Sequence, residues 1–124
     1  MNGVKGCRLA AVNLGTTDLD RDVAFWAQVF QVELEPSSDP GGQRIVLGDG
    51  DGFSLLNLRP RHPGEPHYGH VTAFGLQVPD VDAFHARAVA AGAAEHYPPT
   101  DEPGMPRHSR FADPSGNRVV LWQG

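Results

Sequence analysis

The chain has a single cysteine, Cys7, and a single lysine, Lys5, among its 124 residues. One thiol cannot close an intrachain disulfide. With no activating pattern around it, Cys7 reads as a small apolar residue at a strand start. No run of 18 apolar residues exists, and the N-terminus lacks a signal-like apolar segment. Both absences predict a soluble cytoplasmic protein with no membrane partner. Positive charge is scarce too. Ten basic against 15 acidic residues leave a net charge of −5, with no basic stripe to meet a nucleic-acid backbone.

Glycine and proline are plentiful, at 15 and 11, and they punctuate a repeat. Asp18 and Asp20 open one amphipathic stretch, and Asp80 and Asp82 open another 62 positions later. Each stretch follows a short apolar run, over 9–14 and 71–78. Each half then closes on a glycine-containing turn and a strand. The turns start at Asp49 and Asp113, 64 positions apart. Two copies at this period are too few and too long for a solenoid, and read instead as a duplicated module. In the first copy the pattern predicts strands over 8–14, 32–35, 44–47 and 53–58. Between the first two lies a helix capped by Asp18, with Leu19, Val23, Trp26, Val29 and Phe30 along a buried stripe. Trp26 and its neighbour Phe25 are expected in the core. The second copy predicts a strand over 70–78, a helix over 80–91 ended by Gly92, and a strand over 94–97. A proline-rich loop over 98–106 and strands over 107–112 and 117–122 complete it. Each half is β-α-β-β-β. The expectation is one α+β domain over 1–124: a first module at about 8–60, a linker at 61–69 and a second module at about 70–124.

Two βαβββ modules, an aspartate-capped helix in each and the closing turn Phe111-x-Asp113-Pro114-Ser115-Gly116-Asn117 resemble the vicinal oxygen chelate superfamily. That group holds glyoxalase I, extradiol dioxygenases, fosfomycin-modifying enzymes and bleomycin-resistance proteins. The resemblance spans essentially the whole chain. It implies a curled mixed β-sheet around a cavity, with the helices on the outer face. One such fold hosts lyases, isomerases, transferases, dioxygenases and pure binders, so the function has to be argued from the site. Enzymes of the group hold a divalent metal through His, Gln or Glu at two positions per module. These lie seven residues before the helix-capping aspartate and seven after the turn aspartate. Here the positions are Ala11, Leu56, Ala73 and Val120, and none carries a lone-pair donor. A one-residue shift would offer Asn57 in place of Leu56 and leave the other three empty. No metal and no other cofactor is therefore expected.

In this resemblance the four positions face the concave side, and side chains alternate along a strand. Stepping by two adds Leu9, Asn13, Ser54, Leu58, Val71, Gly75, Arg118 and Trp122. On the preceding strand His108 and Arg110 share a face, at places where the fosfomycin-enzyme pattern contacts substrate. The expected ligand-binding set is Asn13, Ser54, Leu56, Leu58, Ala73, Met105, His108, Arg110, Val120 and Trp122. Trp122 suits stacking on a planar ligand, and Arg110 suits a carboxylate, phenolate or carbonyl. Trp122 filling a dimer interface and Arg110 in a structural ion pair are the bland readings. His108 is the best candidate acid or base, with Asp101 and Glu102 placed to orient it. His62, His67 and His70 cluster in the linker and read as solvated loop residues. His85 reads as surface or locally satisfied.

These features predict a metal-independent small-molecule-binding protein of the glyoxalase/bleomycin-resistance type. It would sequester an aromatic or planar natural product or antibiotic, as a homodimer whose pockets involve both subunits. The alternative is an enzyme of the same group. That would be a metal-free acid–base isomerase, cyclase or lyase using His108, or a lyase or dioxygenase with displaced metal ligands such as the linker histidines.

Overall fold

The computed structural model describes residues 3–60 and 73–124. The linker histidines His62, His67 and His70, together with Val71 and the start of the predicted 70–78 strand, lie outside the described residues. The first module contains β1 (Ala11–Thr16), α1 (Leu19–Phe30), β2 (Glu35–Pro36), β3 (Gln43–Leu47) and β4 (Ser54–Pro60). The second contains β5 (Phe74–Val78), α2 (Val81–Ala90), β6 (Ala94–Thr100), β7 (His108–Ala112) and β8 (Arg118–Gln123). Two open four-stranded mixed sheets result, in the orders β1-β4-β3-β2 and β5-β8-β7-β6. The first strand of each module runs parallel to the last, and the other pairings are antiparallel. This is the α+β, duplicated βαβββ architecture read from the sequence, and the sheets do not close into a barrel among the described residues.

Both helices start as their aspartates dictate. Asp18 and Asp80 lie in extended backbone and accept hydrogen bonds from the N–H groups of Arg21 and Ala83. At the end of α1, Gln31 adopts a left-handed conformation (φ 56°) and its N–H returns to the Ala27 carbonyl. That exit leaves little extended chain, so the strand expected over 32–35 shrinks to the pairing of Glu35 and Pro36 with Arg44 and Gln43.

Two further boundaries differ. The 3–10 segment is exposed and β1 begins only at Ala11, which leaves Cys7 outside the strand and open to solvent. At the other end of the molecule, β6 runs on through Pro98 and Pro99 to Thr100, where a loop was expected. An edge strand with register shifts tolerates prolines because one row of N–H groups has no ladder partner.

Among the described residues the core lies on the helical side of the sheets. Leu14, Ile45, Leu56 and Leu58 meet Phe25, Trp26 and Val29 of α1, while Leu76, Phe111, Val119 and Leu121 lie under Val81 and Ala88 of α2. The modules share this core. Phe30 meets Phe84 edge-on with centroids 5.7 Å apart, and the Arg87 guanidinium donates to the Val29 carbonyl at 2.9 Å.

The closing turn of the second module also clasps the first. Trp26 Nε1 donates to Asp113 Oδ2 at 3.4 Å, and Asn117 Nδ2 donates both to Asp113 Oδ2 and to the Gly15 carbonyl. Beside them the buried Asp22 carboxylate accepts from the hydroxyls of Thr16 and Ser115. Burial pushes the Asp113 carboxyl above the ordinary carboxylate range, although Asn117 and Trp26 oppose the shift.

Candidate functional site

Helices on one side leave the other side of each sheet open. In the second module Ala73, Gly75, Arg110, Arg118, Val120 and Trp122 occupy that concave face, as alternation along the strands requires. Trp122 is 44% exposed, and a Cβ built on Gly75 would come within 3.4 Å of its ring. The indole therefore lies flat against a backbone stripped of side chain. On the same face, at the Arg118–Val120 end of β8 and not reaching Trp122, a pocket of about 250 Å³ is lined by Ala73, His96, Tyr97, Arg110, Arg118 and Val120.

His108 has the parity of Arg110 but is only 2% exposed, because the Tyr97 ring stacks over it at 5.8 Å with 6° between the planes. Its Nδ1 lies 3.0 Å from the Pro106 carbonyl, which can only accept, so that nitrogen carries the proton. Nε2 then points toward Glu102 Oε1 at 3.6 Å, and the same oxygen accepts the Tyr97 hydroxyl at 3.0 Å. That hydrogen bond, and the charge behind it, raises the Tyr97 phenol above its usual range. Asp101 does not join the group, since it pairs with Arg107 at 3.0 Å. Met105 sits in the loop before β7, 43% exposed, with its N–H returned to the Glu102 carbonyl.

The first module corrects the expected lining. Leu56 and Leu58 are each 1% exposed and belong to the core under α1, and Ser54 shares their parity. The concave positions on β4 are Leu55, Asn57 and Arg59. In the second module Gly75, five residues before its helix cap, pairs with Val120; in the first, Asn13, five before its cap, pairs with Asn57. Asn57 is thus the counterpart of Val120. The slip arises in the turn before β4, where the 3₁₀ turn Gly50–Gly52 adds one residue relative to the Asp113 turn. Asn57 Nδ2 donates to Asn13 Oδ1 at 2.9 Å. Both asparagines border a polar pocket of about 310 Å³ completed by Ser37, Ser38, Asp39, Pro40 and Arg59, and Arg59 meets Asp39 at 3.3 Å.

With this correction the four metal-holding positions of the resemblance are Ala11, Asn57, Ala73 and Val120. One carboxamide and three aliphatic side chains do not fit a divalent ion. Among the described residues, no group of three or more His, Cys, Asp or Glu is gathered closely enough to hold one.

Sequence reasoning named Asn57 only as what a one-residue shift would offer, and it missed Arg59, the 37–40 loop and Tyr97 as lining residues. The signal for Asn57 was a polar residue in an apolar strand, whose parity only the ladder partner defines. His85 is satisfied locally but is buried, not on the surface: Nδ1 lies 2.8 Å from Ser109 Oγ and Nε2 lies 2.7 Å from Glu95 Oε2.

The family model for the Glyoxalase/Bleomycin resistance protein/Dioxygenase superfamily matches residues 8–121. The chain belongs to this superfamily. A solved superfamily member from Albidiferax ferrireducens T118 superposes with a TM-score of 0.76 at 18% identity, covering 94% of this chain and 98% of that one. TnmS3, described as an antibiotic binding protein from Streptomyces sp. CB03234, superposes at 0.66 with 22% identity and 98% coverage of both chains. CFP32 of Mycobacterium bovis, provisionally named as a glyoxylase, is 29% identical over 114 residues, or 90% of this chain. The chain spans 44% of that relative's length. No described helix is long and apolar enough to cross a membrane.

Proposed function

We propose that this protein is a metal-independent binder of a planar, aromatic small molecule, such as a natural product or antibiotic, and that it works in the cytoplasm. The observation that carries this reading is the half-exposed Trp122 indole. It lies flat against Gly75 on the same face of β8 as Arg118 and Val120, which line a pocket with an aliphatic floor and polar groups, the usual make-up of a small-ligand site. The donor-poor metal positions support it, as does the fold shared with an antibiotic-binding protein. Each module presents an open half-pocket on its own concave face, and a homodimer that opposes two such faces completes the enclosure. Titration with a panel of planar antibiotics tests the reading, with fluorescence quenching as the readout. Trp26 is fully buried, so Trp122→Phe should abolish the quenching while the fold persists. The absence of any ligand below high micromolar affinity would sink the proposal.

The Tyr97–Glu102–His108 group favours a second reading, an acid–base enzyme of the same superfamily. His108 is covered by Tyr97, so Tyr97 and Glu102 would meet substrate and His108 would position them. Turnover that survives Glu102→Gln unchanged would remove this alternative.

A further inference from the structure

Arg110 and Arg118 stand on adjacent strands of one concave face. Arg110 pairs with Val120 and Arg118 with Ala112, so the two arginines are diagonal neighbours, about 7–8 Å apart at their backbones. Both are exposed, and neither makes a hydrogen bond or an ion pair among the described residues. The other described arginines are all engaged. Arg21, Arg44, Arg59 and Arg107 meet carboxylates, while Arg8 and Arg87 donate to backbone carbonyls. In a chain of net charge −5, two neighbouring guanidinium groups without a carboxylate are a local reversal of sign. Like charges at this spacing on one sheet face repel, and an anion between them removes that cost.

The surroundings specify the rest of the anion. Arg118, Val120 and Trp122 follow one another along one face of β8, so the backbones of Arg118 and Trp122 are about 13 Å apart at roughly 3.3 Å per residue, and the indole leans back over Gly75, opposite Val120. Val120 and Ala73 give the space between them an apolar floor, and Tyr97 borders it. We infer that the concave face of the second module is a site for a planar aromatic carboxylate of about two fused rings. Arg110 and Arg118 grip the carboxylate, and the rings run over Val120 toward Trp122. Planar guanidinium groups suit the two oxygens of a carboxylate better than a neutral carbonyl. This assignment rests on the planar-ligand reading above and adds the sign of the ligand's charge and the end at which it is held.

The test compares 2-naphthoate with 2-naphthamide, which share shape and differ in charge, by calorimetry and tryptophan fluorescence. The expected result is that naphthoate binds at least tenfold tighter than naphthamide and quenches Trp122. Arg110→Gln and Arg118→Gln should each weaken naphthoate at least fivefold, and the double variant should bind both probes alike. Naphthamide binding should stay within twofold throughout. Both substitutions are on the exposed face, and far-UV circular dichroism verifies folding. Equal affinity of the wild-type protein for the two probes would overturn the carboxylate assignment and leave the planar-ligand reading standing. A preference that survives in the double variant would overturn the role of this arginine pair. Binding of neither probe, with unchanged Trp122 emission, would overturn both readings.

Discussion

Replacing Leu56 and Asn57 by alanine, one at a time, separates the two faces of β4 by energy alone. Leu56 is 1% exposed and lies in the core with Leu14, Ile45 and Phe25, whereas Asn57 looks across the ladder to Asn13 on the open face. Truncating a fully buried leucine forfeits its transfer free energy and leaves a cavity that the neighbours fill only partly. Leu56→Ala should therefore cost about 2–5 kcal/mol. Asn57→Ala removes one exposed side-chain hydrogen bond, which contributes about 0.5–1.5 kcal/mol at most. A domain of this size shifts its Tm by roughly 3–5 °C per kcal/mol, so Leu56→Ala should lower Tm by about 6–25 °C and Asn57→Ala by about 2–7 °C. Urea denaturation with an unchanged m-value would confirm that both variants alter stability and not compactness. The reasoning fails if Leu56→Ala costs less than Asn57→Ala. Leu56 would then face the cavity, the register of β4 would be off by one, and the family position would revert to Leu56.

Two other outcomes follow from the electrostatics of the molecule. Tyr97 should titrate above the ordinary tyrosine range when followed by phenolate absorbance, and Glu102→Gln should bring it back down, because the accepting carboxylate is what holds the proton. Asp113 should tie stability to pH in the sense opposite to a salt-bridged aspartate. Its folded pKa is raised, so its contribution is full below the unfolded value and is lost as pH rises through the folded value. Asp113→Asn should flatten that acid-side slope in a Tm-against-pH series, and a slope left unchanged would assign it to another group.

The duplication was legible because it is written in local chemistry. Two capping aspartates, two apolar stripes and two glycine turns each act over a few residues, and the helices start where those aspartates stand. Which face the residues of β8 occupy was legible for a related reason. Alternation from the Asp113 turn carries correctly to Val120 and Trp122, since no irregular residue intervenes. In the first module one additional residue in the turn before β4 inverts the parity of everything after it, and only pairing with β1 reveals the inversion. The burial of His85 depends on Glu95 and Ser109, which approach from two other elements. The partners of Asp22 include Ser115, 93 residues away. No periodicity within one segment encodes a partner at that distance.

The separation of the core from the concave faces bears on how such a chain changes over generations. Among the described residues the two modules interlock on the helical side, through Trp26, Phe30, Phe84 and the Asp113 turn. A substitution on an open face therefore alters the chemistry of that face while leaving the glue between the copies untouched, and most such exchanges cost well under 1 kcal/mol. Duplication also frees the copies from one another. One half already carries paired carboxamides where the other has Gly75 and Val120, and the second half places an indole and two guanidinium groups elsewhere on its own open face. A scaffold organised this way can drift toward new ligands one half at a time, without passing through an unfolded ancestor.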